Sequence, residues 1–118
     1  MAEHAGYHES VDALSPATIE RHRAIVSLIE ELEAIDWYAQ RVDATTDDAL
    51  RAVLAHNRDE EREHAAITLE WLRRNDPAWD RTLRLYLFTE LPITEVEAAA
   101  ESEPTGAGDT DLGLGDLK

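Results

Sequence analysis

Two long stretches with apolar residues at helical spacing constrain the fold of this chain more than any other feature. The first follows Ser15 and Pro16, a serine–proline pair that is typical of a helix N-terminus. The spacing of its apolar residues predicts a helix over about 16–43. These apolar residues are Ile25, Leu28, Ile29, Leu32 and Ile35.

The second stretch begins in the short turn VDATTDD. Thr45 and Asp48 resemble a capping box with aspartate in place of the usual glutamate. The apolar stripe that follows consists of Leu50, Val53, Leu54, Ala65, Thr68, Trp71 and Leu72. This pattern predicts a second helix over about 46–74.

The rest of the chain predicts only short helices. A third helix is expected over about 77–89, with Pro92 stopping it. The segment TEVEAAAE begins with a capping-box pattern, Thr94 and Glu97, which predicts two further turns. No segment has a convincing strand pattern, so the sequence predicts an all-α fold.

Composition excludes several classes of protein. The chain has 26 acidic and 11 basic residues and a net charge of -15, which disfavours nucleic-acid partners and attracts cations. It has no cysteine, so disulfides and thiolate metal sites are excluded. No apolar run reaches the roughly 20 residues of a membrane span, and the first residues lack the pattern of a secretory signal.

A length of 118 residues predicts one folded domain, and local composition marks its flanks. We expect a flexible N-terminal segment over residues 1–14 and a helical domain over residues 15–100. Residues 101–110 have the composition of a linker. Residues 111–118, DLGLGDLK, contain too few apolar side chains to form a core.

The segment EREH on the second helix separates into inward and outward side chains. At about 100° per residue, Glu61 and His64 project inside the apolar stripe of that helix. Glu63 projects away from the stripe and Glu60 lies at its edge. A buried carboxylate without a partner is energetically costly, and a metal ion compensates that cost. The alternative is a buried Glu–His hydrogen bond or an ion pair with an arginine of a partner helix.

The first helix supplies one further candidate ligand. Glu31 lies at the margin of its apolar stripe, beside Tyr38, whereas Glu30 and Glu33 point more outward. A solvated face is the default explanation for Glu30 and Glu33. Glu31 is therefore the best candidate for an inward ligand on this helix.

These parts make up half of a known kind of metal site. The carboxylate-bridged di-metal site of ferritin-like bundles needs a glutamate from each of two helices and E-x-x-H from each of two others. One copy of this chain has one of each, so two copies related by a two-fold axis would supply two Glu31, two Glu61 and two His64. Carboxylates with imidazole favour iron or manganese over zinc. Two iron ions held in this way would donate two electrons to oxygen, which is ferroxidase chemistry.

Three stretches resemble the encapsulated ferritins, the cargo of bacterial encapsulin nanocompartments. They are RHRAIVSLIEELEAIDWYAQRVDAT, LAHNRDEEREHAAITLEWLRRND and LYLFTELPIT, and the resemblance runs nearly continuously over about 20–100. The resemblance implies a two-helix antiparallel hairpin plus a short C-terminal helix. It further implies that two chains form a ferritin-like four-helix bundle with a di-iron ferroxidase centre between them, and that the dimers assemble into a ring, understood as a decamer.

Carried onto this sequence, the resemblance implies site residues of two kinds. The iron ligands are Glu31, Glu61 and His64 from both chains, with Tyr38 close by in the catalytic centre. An outer site, through which metal enters and where calcium or another divalent cation is a candidate occupant, matches Glu30, Glu33 and Trp37.

The two ends of the chain differ in what the resemblance implies for them. HAGYHE, with His4 and His8 as candidates for loose metal binding, matches no part of the family pattern. Asp111–Lys118 is similar to the peptide that targets such cargo to the encapsulin shell, which implies a chain enclosed in a nanocompartment of the bacterial cytoplasm. Spaced leucines on a flexible tether suit docking into shallow apolar pockets, and an inert tail is the alternative.

A different class of function is also compatible with the sequence. The chain would then be a non-enzymatic acidic helical adaptor, or a protein that binds divalent cations, in which Glu61 and His64 only pair with each other.

Overall fold

A computed structural model describes residues 6–101. Its main elements are four α-helices: α1 (Pro16–Ala44), α2 (Asp48–Asn75), α3 (Pro77–Tyr86) and α4 (Val96–Glu101). Short 3₁₀ turns lie at Val11–Ala13 and Ile93–Glu95. No strand occurs between residues 6 and 101, which confirms the all-α prediction.

The first helix begins where the sequence predicts. Ser15 is its N-cap, and the Ser15 Oγ accepts a hydrogen bond from the Thr18 amide at 3.1 Å. Pro16 occupies the first turn, where the missing amide hydrogen has no intrahelical partner to lose. The helix ends at Ala44, one residue beyond the predicted bound.

The capping prediction for the second helix was wrong. Its N-cap is Asp47, whose carboxylate accepts a hydrogen bond from the Leu50 amide at 3.0 Å. Thr45 instead caps the C-terminus of α1, and its hydroxyl accepts from the Asp47 amide at 3.2 Å. The Thr45 hydroxyl satisfies the Asp47 amide, and the Asp47 carboxylate satisfies the Leu50 amide. The local sequence therefore offered two possible starts for the second helix, and the structure uses the later one.

Helices α1 and α2 pack against each other as an antiparallel hairpin. Arg51 closes its turn by donating to the carbonyls of Val42, at 3.2 Å, and Thr45. At the opposite end of the hairpin, Arg21 of α1 lies 3.6 Å from the Asp76 carboxylate that follows α2. These contacts fix the level at which residues of the two helices face each other.

The hairpin buries little apolar surface. Its buried apolar side chains are Ala65 and Leu72; Val96, the other buried apolar side chain of residues 6–101, lies on α4 in the second unit. The predicted stripes are only partly covered, because several of their members are exposed: Ile25, Leu32, Leu50, Val53 and Trp71. These side chains therefore leave apolar surface exposed among the described residues of the single chain.

The described residues form two compact units with a boundary after Pro77. In the second unit, α3 ends at Tyr86 rather than near residue 89, since Phe88 adopts a left-handed φ of 60° that no α-helix accommodates. The Phe88 side chain is fully exposed. Thr94 lies inside the 3₁₀ turn and is not a cap, and the Glu95 amide donates to the Pro92 carbonyl at 2.8 Å.

The N-terminal unit also includes part of the predicted flexible segment. The Tyr7 and His22 rings lie 4.4 Å apart, centroid to centroid, which connects residue 7 to α1. Glu101, the first residue of the predicted linker, ends α4, whereas His4, residues 102–110 and the Asp111–Lys118 peptide lie outside the described residues. Within residues 6–101, no helix is both long and apolar enough to cross a membrane.

Candidate metal centre

One cavity brings together most of the candidate ligands that the sequence indicates. It has a volume of about 280 Å³ and lies between α1 and α2. Its lining consists of Ser27, Glu30, Glu31, Ala34, Glu61 and His64. The helix spacing explains the set, because residues three and four apart in a helix share a face.

Glu31 carries the most unusual group in this cavity. Its side chain is half-buried, and its Oε1 is buried without a hydrogen-bond partner among the described residues. Leaving such an acceptor unsatisfied costs about 1–3 kcal/mol, and more when the group is charged. A carboxylate held in this state is suited to receive a cation.

Glu61 and His64 form the second part of the cluster. Glu61 Oε1 lies 3.5 Å from His64 Nδ1, and their side chains are 27% and 51% exposed. The two side chains therefore share one face, as the projection predicts. Glu63 is exposed, and Glu60 is exposed and paired with His56 at 3.4 Å. Only part of this acidic run therefore reaches the cavity.

Glu31 and the Glu61–His64 pair of one chain do not complete a metal site. Within residues 6–101, no three His, Cys, Asp or Glu side chains are arranged to hold a metal ion. Glu31 lies across the cavity from the Glu61–His64 pair. That each chain contributes half of a di-metal site stays a prediction.

The residues expected at the outer site do not all border the cavity. Glu30 is exposed, as the projection predicts, and nevertheless borders the cavity. Glu33 is half-buried and Trp37 exposed, and neither lines it. Tyr38 is half-buried and does not line it either; the Arg41 guanidinium lies 5.3 Å from the centre of its ring.

The sequence reasoning missed Ser27. Ser27 lines the 280 Å³ cavity and also a neighbouring groove of about 470 Å³, together with Glu31. The signal was available, because Ser27 precedes Glu31 by four residues and therefore lies one turn away on the same face. The groove continues toward Ile67, Thr68 and Trp71 of α2.

The outer face of α2 has a different electrostatic character. Hydrogen bonds from Arg73 and Arg74 lower the pKa of Glu70 to about 2. The distances are 2.8 Å from Arg73 Nε and 2.6 Å from Arg74 Nε. Glu70 is therefore neutralised by arginines of its own helix.

Comparison with known protein families identifies the fold. The family model described as EncFtn-like matches residues 6–90, a span that includes the whole hairpin and every cavity residue. The chain belongs to the EncFtn-like family. The match begins before Tyr7, so the GYHE part of the N-terminal segment is included in the family pattern, contrary to the expectation from sequence.

The chain is also similar to named proteins of three organisms. An encapsulated ferritin-like protein of Rhodospirillum rubrum is 60% identical over 94% of this chain and 86% of its own length. A ferritin-like protein of Thermotoga maritima is 54% identical over 92% of this chain and 94% of its own length. The encapsulin nanocompartment cargo protein EncC of Myxococcus xanthus is 51% identical over 40% of this chain and 36% of its own length.

A solved structure extends the likeness to three dimensions. The crystal structure of protein ne0167 from Nitrosomonas europaea matches with a TM-score of 0.71 and 61% identity, over 75% of this chain and 97% of that one. The ferritin-like all-α fold is therefore established for this EncFtn-like chain.

Proposed function

We propose that this chain is a ferroxidase that oxidises Fe(II) to Fe(III) with oxygen at a di-iron centre formed between two copies. The observation that carries the proposal is the buried, unpartnered Oε1 of Glu31 in a cavity that also contains Glu61 and His64. Such an oxygen is stabilised by a cation, and the donor set of carboxylates and imidazole is suited to iron. Fe(II) is the substrate.

The second copy completes the donor set. Two chains about a two-fold axis provide two Glu31, two Glu61 and two His64, the complement of a ferritin-like di-metal site. The exposed apolar stripes of the hairpin supply the driving force for pairing. Glu31 and Glu61 hold two Fe(II) ions close enough together to give two electrons to one oxygen molecule, and His64 completes the ligand set on each side.

In this proposal the remaining residues take part in the supply of Fe(II) and in the storage of the oxidised iron. Glu30, Glu33 and Trp37 form an outer site through which Fe(II) or another divalent cation approaches, and Tyr38 lies close to the centre. The dimers assemble into a ring, and Asp111–Lys118 binds an encapsulin shell that stores the mineral in the cytoplasm. Support comes from the relatives whose names describe encapsulated ferritin-like and nanocompartment cargo proteins.

The test follows Fe(II) oxidation by absorbance. Oxidation is expected to saturate at two Fe(II) per dimer, and Glu31→Ala, Glu61→Ala and His64→Ala are each expected to slow it at least about 100-fold. Glu63→Ala is the matched control, since Glu63 lies on the same helix and is exposed to solvent. Site variants that oxidise iron as fast as Glu63→Ala would show that the site is elsewhere.

Native mass measurement separates this proposal from the non-enzymatic adaptor. A ferroxidase centre between chains binds metal in the dimer and favours assembly when Fe(II) is added. The adaptor, in which Glu61 and His64 merely pair as they do in the single chain at 3.5 Å, associates equally well without metal.

A further inference from the structure

Helix α2 carries a seam of mainly apolar residues that residues 6–101 leave partly exposed. Its members follow alternating spacings of three and four residues, the repeat of a helix–helix seam; they include Leu50, Val53, Asn57, His64, Ile67 and Trp71. The exposed fractions of the four apolar members are 46% for Leu50, 56% for Val53, 61% for Ile67 and 40% for Trp71. The seam therefore presents two apolar ends on either side of a polar centre.

The seam is nearly symmetric about its own midpoint at Glu60 and Glu61. Leu50 on one side corresponds to Trp71 on the other, and Val53 corresponds to Ile67. Asn57 then corresponds to His64. Two copies of α2 that pair antiparallel about this midpoint bring apolar residues against apolar residues and place Asn57 opposite His64.

Charge favours the antiparallel arrangement over the parallel one. At the start of α2, Asp47 and Asp48 outnumber Arg51, which pairs with Asp48; at its end, Arg73 and Arg74 outnumber Glu70, with which both pair. The start therefore keeps a net negative charge and the end a net positive one. Antiparallel pairing brings the acidic start of one copy to the basic end of the other and opposes the two helix dipoles. Parallel pairing would place like charges together at both ends.

The groove beside the seam supplies room for this packing. It has a volume of about 470 Å³ and is lined on α2 by Ile67, Thr68 and Trp71. The Thr68 hydroxyl donates to the His64 carbonyl at 3.0 Å, so its only donor is already used within the helix. Leu50 and Val53 of a second copy fill the groove in the antiparallel register.

We propose that Asn57 of the second copy is a positioning residue for His64. This inference rests on the proposed function and adds to it the register of the two α2 helices and a residue that positions a metal ligand. An imidazole that ligates a metal through one nitrogen donates its other N–H to an acceptor, which fixes the ring. Within the chain, His64 Nδ1 lies 3.5 Å from Glu61 Oε1, but Glu61 is itself a proposed ligand. The amide oxygen of Asn57 from the second copy supplies an independent acceptor.

Cysteine cross-linking tests the register without metal or activity. The chain has no cysteine, so only the introduced thiols can form disulfides. The double variant Val53→Cys/Ile67→Cys is expected to form a covalent dimer on mild oxidation, because positions opposite each other in a seam come within disulfide reach. An equal mixture of the two single variants is expected to form the mixed dimer.

The single variants decide between the two directions of pairing. Val53→Cys alone and Ile67→Cys alone are expected to stay uncross-linked, as is the exposed control Ile93→Cys in the other unit. Parallel pairing places each position opposite itself, so efficient cross-linking of either single variant would overturn the register and with it the role of Asn57.

Anaerobic Fe(II) binding tests Asn57 itself. Asn57→Ala is expected to weaken Fe(II) affinity about 10- to 100-fold while the dimer persists in sedimentation. Asn57→Asp keeps an acceptor oxygen and is expected to restore most of the affinity. The control is Asn75→Ala, which removes the chain's other asparagine side chain, a donor to the Trp71 carbonyl at 2.9 Å. Wild-type affinity in Asn57→Ala would overturn the inference.

The two levels of the proposal fail in different ways. A wild-type chain that remains monomeric and oxidises no Fe(II) contradicts the proposed function and everything built on it. The inference alone is contradicted if the wild-type dimer oxidises Fe(II) but either single cysteine variant cross-links efficiently. It is also contradicted if Asn57→Ala binds Fe(II) as tightly as wild type.

Discussion

The two faces of α2 differ in whether their acidic side chains pair with arginines. On the outer face, acidic side chains pair with arginines one turn away: Glu70 with Arg73 and Arg74, and Asp59 with Arg62 at 3.0 Å. On the cavity face, Glu61 pairs with His64, and across the cavity Glu31 has a buried oxygen without a hydrogen-bond partner among the described residues. Charge that is balanced within the chain stabilises a helix, whereas charge that is left unbalanced is available to a ligand.

The largest effect is expected from a substitution that adds an arginine to the cavity and so removes this difference. Ala34 lines the cavity one turn from Glu30 and Glu31, so Ala34→Arg places a guanidinium where the proposal places iron. We expect Fe(II) affinity to fall more than about 100-fold, since a fixed cation repels and replaces the bound one. Anaerobic titration with Fe(II) measures the change.

A matched variant on the same helix tests whether the added charge alone lowers the Fe(II) affinity. Ala17→Arg adds the same charge to α1 at an exposed position that lines neither cavity. Both variants change the net charge equally, so a comparable loss of Fe(II) affinity in Ala17→Arg would mean that bulk charge, rather than the cavity, governs binding.

A second, smaller effect concerns the stability of the metal-free chain. Glu31→Gln replaces a charged, unpartnered oxygen with a neutral amide of similar shape, so we expect the free energy of unfolding to increase by about 1 kcal/mol while Fe(II) binding is lost. Urea unfolding at fixed chain concentration and without metal measures it. Glu63→Gln, at an exposed position, is expected to change stability little. A loss of stability in Glu31→Gln would mean that the carboxylate is satisfied in the metal-free state.

Sequence patterns predicted this molecule well where local geometry decides. Ser15 and Pro16 specify the start of α1 whatever the rest of the chain does, and the 3.6-residue repeat places Glu61 and His64 on one face. The start of α2 was mispredicted because Thr45 and Asp47 are both competent caps, and only the turn closed by Arg51 selects between them. The left-handed Phe88 that ends α3 has no sequence signal, since glycine is the usual residue there.

The candidate site was harder to predict than the helices that carry it. Projection on single helices found Glu31, Glu61 and His64, but it could not place Glu30 and Ser27 at the same cavity. That placement depends on the level at which α1 and α2 face each other, which is set by contacts between residues distant in sequence, such as Arg21 with Asp76. In the proposed dimer the groups that complete the site come from a second chain, and no pattern within one helix specifies them.

The smallest expected effect lies on the outer face and has a distinctive pH dependence. The arginines hold the pKa of Glu70 at about 2, below its ordinary 4.5. A carboxyl whose pKa is lowered by folding contributes stability that is fully present above its ordinary pKa and is lost as the pH falls through the folded value. The stability difference between wild type and Glu70→Gln is therefore expected to be small and constant near neutral pH and to vanish between pH 4.5 and about 2. Because the pair is exposed, added salt should also shrink the difference. Urea unfolding across this pH range measures it, and a difference that persists undiminished at the acid end would show that Glu70 stabilises α2 by packing rather than by charge.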